Sequence, residues 1–215
     1  MLRLKLDNKS LLLYLVTDRS WLGERSLASQ VEESLINGVT FLQLREKKLD
    51  NESFLKLAIE MKELAHGYNV PFVINDNLDV AIKSDSDGVH IGQDDISIEE
   101  ARRIMGEDKI LGVSVGTVEE AILAEKLGAD YLGVGAMFST NTKENTRDIS
   151  FDTLKNICEL VKIPVVGIGG INNENILSLE GSGIKGVAVI SAILAQKDIS
   201  KSTRELKDTC ENIFR

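Results

Sequence analysis

Short apolar runs rich in β-branched residues recur along the chain and alternate with stretches of helical spacing. The runs are residues 11–17, 39–44, 70–75, 88–91, 110–115, 131–137, 164–168 and 186–190. Each has strand length and is too short for a helix of its own. Between them, Val31, Leu35 and Ile36 keep helical spacing, as do Phe54, Leu57, Ala58 and Met61, so each set predicts an amphipathic helix. Ser97-Ile98-Glu99-Glu100 and Thr117-Val118-Glu119-Glu120 read as capping boxes, with a hydroxyl at the N-cap and Glu three residues on. Gly38 and Gly128 suit the residue just past a helix end. Leu206, Cys210, Ile213 and Phe214 share one face, which predicts a docked terminal helix.

Eight strands alternating with helices predict a parallel sheet with right-handed crossovers. Eight βα units are the number that closes a (β/α)8 TIM barrel. The alternative is an open, doubly wound sheet, but no GxGxxG follows the first strand, which argues against a dinucleotide fold. The chain has 215 residues and no Pro/Ser-rich linker, so a single domain over residues 1–215 is expected.

Composition narrows the partners. An apolar share of 43% is that of a globular protein. A net charge of -9 disfavours nucleic acid and anionic membrane surfaces and gives clustered Lys and Arg more meaning. Cys158 and Cys210 lack any CxxC spacing and read as buried, inert thiols. The apolar run 11–16 is too short for a signal or membrane segment, so a cytoplasmic location is expected. Apolar positions on the helix faces are compatible with a homo-oligomer.

Candidate chemistry gathers where the strands end. Gln43-Leu44-Arg45-Glu46-Lys47 closes the second run. Strand alternation points Gln43, Arg45 and Lys47 one way and Leu44 the other. Such a polar, cationic row calls for an anion or for water. The other ends carry Thr17-Asp18-Arg19, Asn75-Asp76-Asn77, His90 with Gln93-Asp94-Asp95, Ser114, Ser139 to Lys143, Gly169-Gly170 and Ser191. Barrel active sites lie at those ends, with phosphate bound after strands seven and eight. There Gly167-Ile168-Gly169-Gly170 precedes Ile171-Asn172-Asn173-Glu174, which reads as a helix start, and Ser191 opens another; helix starts offer unpaired N–H groups to an anion. Asp76 and Asp95, on adjacent loops, suit Mg²⁺, although either could merely cap a helix. His90 reads equally as a satisfied interior histidine or as a catalytic one.

The chain resembles thiamine phosphate synthase over nearly its whole length. The resemblance rests on Tyr14-Leu15-Val16-Thr17-Asp18, Gln43-Leu44-Arg45-Glu46-Lys47, Val73-Ile74-Asn75-Asp76 and Gly88 to Asp95. It continues in Gly112-Val113-Ser114, Asp130 to Gly135, Phe138 to Lys143 and Val166 to Ile171. Each motif alone is weak; in this order they are highly specific. The resemblance implies a transferase that joins hydroxymethylpyrimidine diphosphate to a thiazole phosphate, carboxylated or not, and releases pyrophosphate. It implies that Gln43, Leu44, Arg45, Glu46, Lys47, Asn75, Ser114 and Lys143 hold the pyrimidine diphosphate. Among these, Arg45, Lys47, Ser114 and Lys143 would assist the chemistry. Asp76 and Asp95 would hold Mg²⁺. Thr140, Asn141, Thr142, Gly170, Ile190 and Ser191 would hold the thiazole phosphate.

One departure stands out: the family usually has Pro where this chain has Ser139, which removes a φ restraint from that loop. Three other functions would place different demands on these residues. A thiazole tautomerase needs no diphosphate clamp, so Arg45, Lys47, Asp76, Asp95 and Lys143 together disfavour it. A noncatalytic precursor-binding regulator would be expected to lack one of these. A phosphosugar epimerase or isomerase would share Gly169-Gly170 but wants an acid/base pair that the sequence does not offer.

Overall fold

A computed structural model describes residue 6, residues 9–139 and residues 149–214. Eight parallel strands close into a barrel in chain order. They are β1 (Leu13–Val16), β2 (Phe41–Leu44), β3 (Phe72–Asn75), β4 (Gly88–Ile91), β5 (Ile110–Val115), β6 (Tyr131–Val134), β7 (Val165–Ile168) and β8 (Gly186–Val189). β1 pairs with β8 as well as β2, so no strand edge is left open. All eight expected strands are present. Most are shorter than their apolar runs, because flanking residues such as Leu11, Val39 and Met137 are buried without extending the strand.

The helices are α1 (Leu27–Ile36), α2 (Asn51–Gly67), α3 (Leu78–Lys83), α4 (Ile98–Met105), α5 (Val118–Lys126), α6 (Phe151–Leu160), α7 (Ser191–Leu194) and α8 (Ile199–Ile213). Except at α7, which follows Ile190, side chains at their N-caps accept an orphan backbone N–H of the first turn. Ser97 takes the Glu100 N–H at 3.3 Å and Thr117 takes the Glu120 N–H at 3.1 Å. The return arm of the expected capping boxes goes elsewhere: Glu120 accepts from the Gly116 N–H and Glu100 pairs with Arg103. Gly38 and Gly128 follow α1 and α5 at positive φ, as expected. Within α1, Val31 and Leu35 are buried but Ile36 lies outside the buried face. α8 docks through Leu206 and Cys210. Burial lifts the Cys210 thiol to about 12 and the Cys158 thiol to about 11, so both are inert at neutral pH.

One expected helix is absent. After Gly170 the chain forms a turn and a single 3-10 stretch, Ile176–Leu179. The asparagines there claim the backbone for themselves: Asn175 Oδ1 accepts the Asn172 N–H, and Asn172 Oδ1 accepts the Glu174 N–H. Such local bonds compete with an α-helical start.

Two apolar layers follow from strand alternation. Outward residues such as Leu15, Leu42, Leu44, Ile74 and Leu132 pack against the helices. Inward residues fill the barrel axis, chiefly Leu11, Tyr14, Phe41, Val73, Ile110, Tyr131 and Val166. Tyr14 and Phe41 meet edge to face, with centroids 4.6 Å apart. Gly112 makes room for the Tyr131 ring: a Cβ there would lie 2.2 Å from its Cζ. Among the described residues no helix is long and apolar enough to cross a membrane.

Gly112→Ala is therefore expected to destabilise the fold by roughly 1–3 kcal/mol through overpacking, read by urea denaturation. Gly67→Ala is the control, since a Cβ at Gly67 would meet nothing within 4 Å.

Candidate active site

A cavity of about 430 Å³ opens at the C-terminal ends of the strands. Its floor is built of amides, a hydroxyl and an imidazole, and its rim carries the carboxylates and cations. The floor follows from strand parity: Gln43, Asn75, His90 and Ser114 are inward residues at the top of β2 to β5 and line the cavity. They belong to one hydrogen-bonded row. Gln43 Nε2 donates to Asn75 Oδ1 at 2.8 Å, and Tyr14 donates to Gln43 Oε1 at 2.9 Å. Tyr14 and Tyr131 share a hydroxyl–hydroxyl bond of 2.8 Å. His90 Nδ1 meets the Tyr131 hydroxyl at 2.8 Å, and His90 Nε2 meets Ser114 Oγ at 2.8 Å. His90 thus has the interior, satisfied position that the sequence left as one of two readings. Burial raises both phenols well above their usual range, Tyr14 with a further contribution from Tyr131.

The rim begins at Arg45. Its backbone N–H donates to Thr17 Oγ1 at 3.0 Å, and its guanidinium lies 3.8 Å from Asp18. Lys47 reaches across to Asp76, with Nζ 2.6 Å from Oδ2. Asp76 sits at φ 61°, a conformation uncommon for a residue with a side chain. Its N–H bonds to the His90 carbonyl at 2.9 Å, which fixes it against β4. Asp95 accepts the Gly92 N–H at 2.7 Å. Its carboxyl is pushed up, first by burial and then by Asp76, against the pull of the Gly92 N–H and Lys47. The two carboxylates therefore feel one another directly.

Gly170, Ile190 and Ser191 line the opposite side. Gly170 has φ 65°, and a Cβ there would meet the Phe138 carbonyl oxygen at 2.6 Å. The two loops thus come together closely enough that only glycine fits.

Of the residues expected from the sequence, Gln43, Arg45, Lys47, Asn75, Asp76, Asp95, Ser114, Gly170, Ile190 and Ser191 all line this one cavity. The side chains of Leu44 and Glu46 do not. Leu44 is fully buried against the helices. Glu46 lines a neighbouring groove beside Lys47 and Asp76 and lies 3.7 Å from Arg19. Burial raises its carboxyl and Arg19 restrains the rise. Leu44 departs by strand parity, whereas Glu46 lies past the end of β2. Thr140, Asn141, Thr142 and Lys143 lie outside the described residues. The sequence reading gave no role to Gln93, whose side chain lines the cavity and donates to the Ser114 carbonyl at 2.7 Å, nor to Tyr14 and Tyr131. The available signal was a tyrosine inside each of two otherwise apolar strands.

Similarities to known proteins concern nearly the whole chain. A family model described as thiamine monophosphate synthase matches residues 13–193. The thiamine-phosphate synthase of Ruminiclostridium cellulolyticum is 50% identical over 200 residues, 93% of this chain and 95% of that protein. That of Clostridium botulinum is 48% identical over 201 residues, 94% of each. Among solved structures, thiamine phosphate pyrophosphorylase from Pyrococcus furiosus superposes with a TM-score of 0.90 at 38% identity, covering 97% of this chain and 99% of that one. A geranylgeranylglyceryl phosphate synthase from Thermoplasma acidophilum, at 12% identity and TM-score 0.69, shares the fold alone. With its closed barrel, its polar strand ends in one cavity and these relatives, the chain belongs to the thiamine monophosphate synthase family.

Proposed function

We propose that this cavity condenses 4-amino-2-methyl-5-(diphosphooxymethyl)pyrimidine with a thiazole phosphate, giving thiamine phosphate and pyrophosphate in thiamine biosynthesis. The observation that carries the reading is the rim. Arg45 and Lys47 converge with Asp76 and Asp95 above a neutral floor, in a chain of net charge -9. A tautomerase or a phosphosugar isomerase has no use for that cationic and acidic pairing. In keeping with this, we place the protein in the cytoplasm as a one-domain enzyme.

The reaction breaks the bond between the pyrimidine methylene and the diphosphate oxygen, whose electron pair leaves with pyrophosphate. The thiazole nitrogen then supplies its lone pair to the methylene carbon. Neither change requires a protein nucleophile or a proton transfer. The difficulty is the charge that builds on the leaving oxygens, and fixed cations aimed there lower the barrier. Arg45 and Lys47 stand at that place, and Lys143 joins them by resemblance. Ser114, Asn75 and Gln43 hold the ring at the floor, with the backbone at Leu44 and Glu46 available beside it. Gly170, Ile190 and Ser191 hold the thiazole phosphate, on the side where these barrels bind phosphate, and Thr140, Asn141 and Thr142 join them by resemblance. The remaining task is to keep the two reacting atoms in line.

Asp76 and Asp95 fit Mg²⁺. They are hard oxygen donors within mutual electrostatic reach, and Mg²⁺ takes one or two such carboxylates and fills its other positions with water and substrate phosphate. Among the described residues no group of three or more such ligands is assembled, so substrate oxygens would complete the shell. When bound, the ion would neutralise charge on the diphosphate.

Lys143→Ala and Asp76→Ala are each expected to lower turnover at least ~100-fold, about 3 kcal/mol of barrier, with circular dichroism unchanged. The assay mixes protein, Mg²⁺ and both substrates and follows pyrophosphate and thiamine phosphate. A folded variant at near-normal rate removes its residue from the site. Tight substrate binding by the wild type without product would replace the enzyme with a binding protein. Asp95→Asn is expected to lose activity to a similar degree yet melt higher than wild type at pH 8. A carboxylate whose folded pKa is raised costs stability once pH rises through that value. Asparagine keeps an oxygen for the Gly92 N–H and removes that charge. The thermal gain should disappear in acid, where Asp95 is already protonated; a lower melting temperature at pH 8 would contradict the electrostatic account.

A further inference from the structure

We propose that the buried row from Asn75 to Ser114 is a relay of fixed hydrogen-bond polarity, and that Tyr14, Tyr131 and His90 are positioning residues that decide what Asn75 and Ser114 offer a ligand. This rests on the reading above that a pyrimidine sits on the cavity floor.

The polarity follows from a count of hydrogens. Tyr14 spends its only hydroxyl hydrogen on Gln43 Oε1. The 2.8 Å contact between the two phenols must then be bridged by the hydrogen of Tyr131. That leaves Tyr131 with lone pairs toward His90, so Nδ1, 2.8 Å away, has to carry a proton. A neutral imidazole has one N–H. Nε2 is therefore bare and accepts the Ser114 hydroxyl hydrogen at 2.8 Å. At the other end, Gln43 Nε2 donates to Asn75 Oδ1. The Asn75 end is left with amide N–H donors and the Ser114 end with lone pairs.

Burial makes the count strict. Tyr14 and Tyr131 are 1% and 0% exposed, which leaves no surface on which water could replace a link. Both phenols are held protonated, since burial raises their pKa. A single reversed bond between Gln43 and His90 Nδ1 would leave two donors or two acceptors face to face in a dry interior, which is costly; at Nε2 the Ser114 hydroxyl, which lines the cavity, turns to suit the ring. The row therefore changes polarity as a unit. Tyr14 and Tyr131 act at a distance: neither is among the described residues that line the cavity, whereas Asn75, His90 and Ser114 are. The complementary ligand places an acceptor toward Asn75 and a donor toward Ser114. An aminopyrimidine carries both, as a ring nitrogen and its neighbouring amino group. A ring with the opposite arrangement meets mismatched partners at both ends.

The chain has two histidines, so long-range ¹H–¹⁵N spectra of the full-length protein labelled at histidine resolve each ring, with His66 as the surface control. At pH 8 without substrate, His90 is expected as the neutral Nδ1–H tautomer. In Tyr14→Phe, Tyr131 loses an acceptor for its hydrogen and turns it on His90 Nδ1, so His90 should change to the Nε2–H tautomer. The same variant should raise the KM for the pyrimidine diphosphate roughly tenfold, the cost of about one mismatched hydrogen bond, with the KM for the thiazole phosphate and kcat little changed. Gln43→Leu removes the acceptor of the Tyr14 hydrogen, turns that hydrogen onto Tyr131 and should likewise change His90 to the Nε2–H tautomer, which decides the matter if Tyr14→Phe does not fold. An Nε2–H or doubly protonated His90 in the wild type, or an unchanged tautomer in folded Tyr14→Phe, would overturn the relay. The tautomer readout needs no substrate, so the relay can fail while synthase activity stands, and can hold if that activity is absent.

Discussion

Closure of the sheet is the constraint on which everything else depends. In an eight-stranded parallel barrel, one parity of each strand faces the axis, and the space there is too small for anything but side chains. Along β1 to β6 those inward positions change character from bottom to top. On β2, β3 and β5 the apolar Phe41, Val73 and Ile110 come first, with Tyr14 paired beside Phe41, while Gln43, Asn75, His90 and Ser114 come last before the cavity. The same rule that fills the core therefore delivers the polar residues to one end. A one-residue slip in β2 would bury Gln43 against the helices and turn Leu44 into the cavity.

Filling the axis with two tyrosines and a histidine needs matching vacancies on neighbouring strands. Gly112 supplies one: a Cβ there would overlap the Tyr131 ring. Gly133 eases another, since a Cβ there would lie 3.3 Å from His90 Cε1. Small and large residues thus interlock as they must in a dense interior. The tyrosines are a hybrid choice. Their rings fill volume and meet Phe41 edge to face, while their hydroxyls link β1 to β6 and join the polar row above. A buried hydroxyl is tolerable only because every link in that row is closed.

The barrel was legible in the sequence because its signal is periodic and redundant. Eight apolar runs, their capping residues and their polar ends all imply the same architecture. The cavity was legible at Gln43 and Asn75 because strand parity locates them without any long-range knowledge, and at Arg45 and Asp76 because chain order puts them at those strand ends. Glu46 was not, because it follows the strand end, where alternation no longer dictates direction. The turn after Gly170 misled for a local reason: Asn172 and Asn175 can start a helix or replace one, and only the fold decides. The polar row was beyond sequence reading altogether. It links residues as far apart as Tyr14 and Tyr131, and no pattern along a single chain reports which inward residues share a level of the barrel.

The division between floor and rim has an electrostatic logic. An ion placed at the dry floor would pay several kcal/mol in desolvation, and the floor accordingly holds amides, hydroxyls and an imidazole. The ionised groups stand where water reaches them: Lys47 keeps 54% of its side chain exposed and Asp76 25%. Their ion pair is consequently worth little to the fold, and Asp76 holds a backbone conformation that costs energy besides. Neither stability nor packing accounts for this arrangement; the charged ligand proposed above would. A molecule with a neutral ring at one end and a diphosphate at the other can enter only ring first, because the reverse would bury its charge among groups that cannot answer it. On the function proposed above, the dielectric gradient of the barrel would orient the substrate before any single contact forms, and the rim residues would act on a diphosphate already delivered to them.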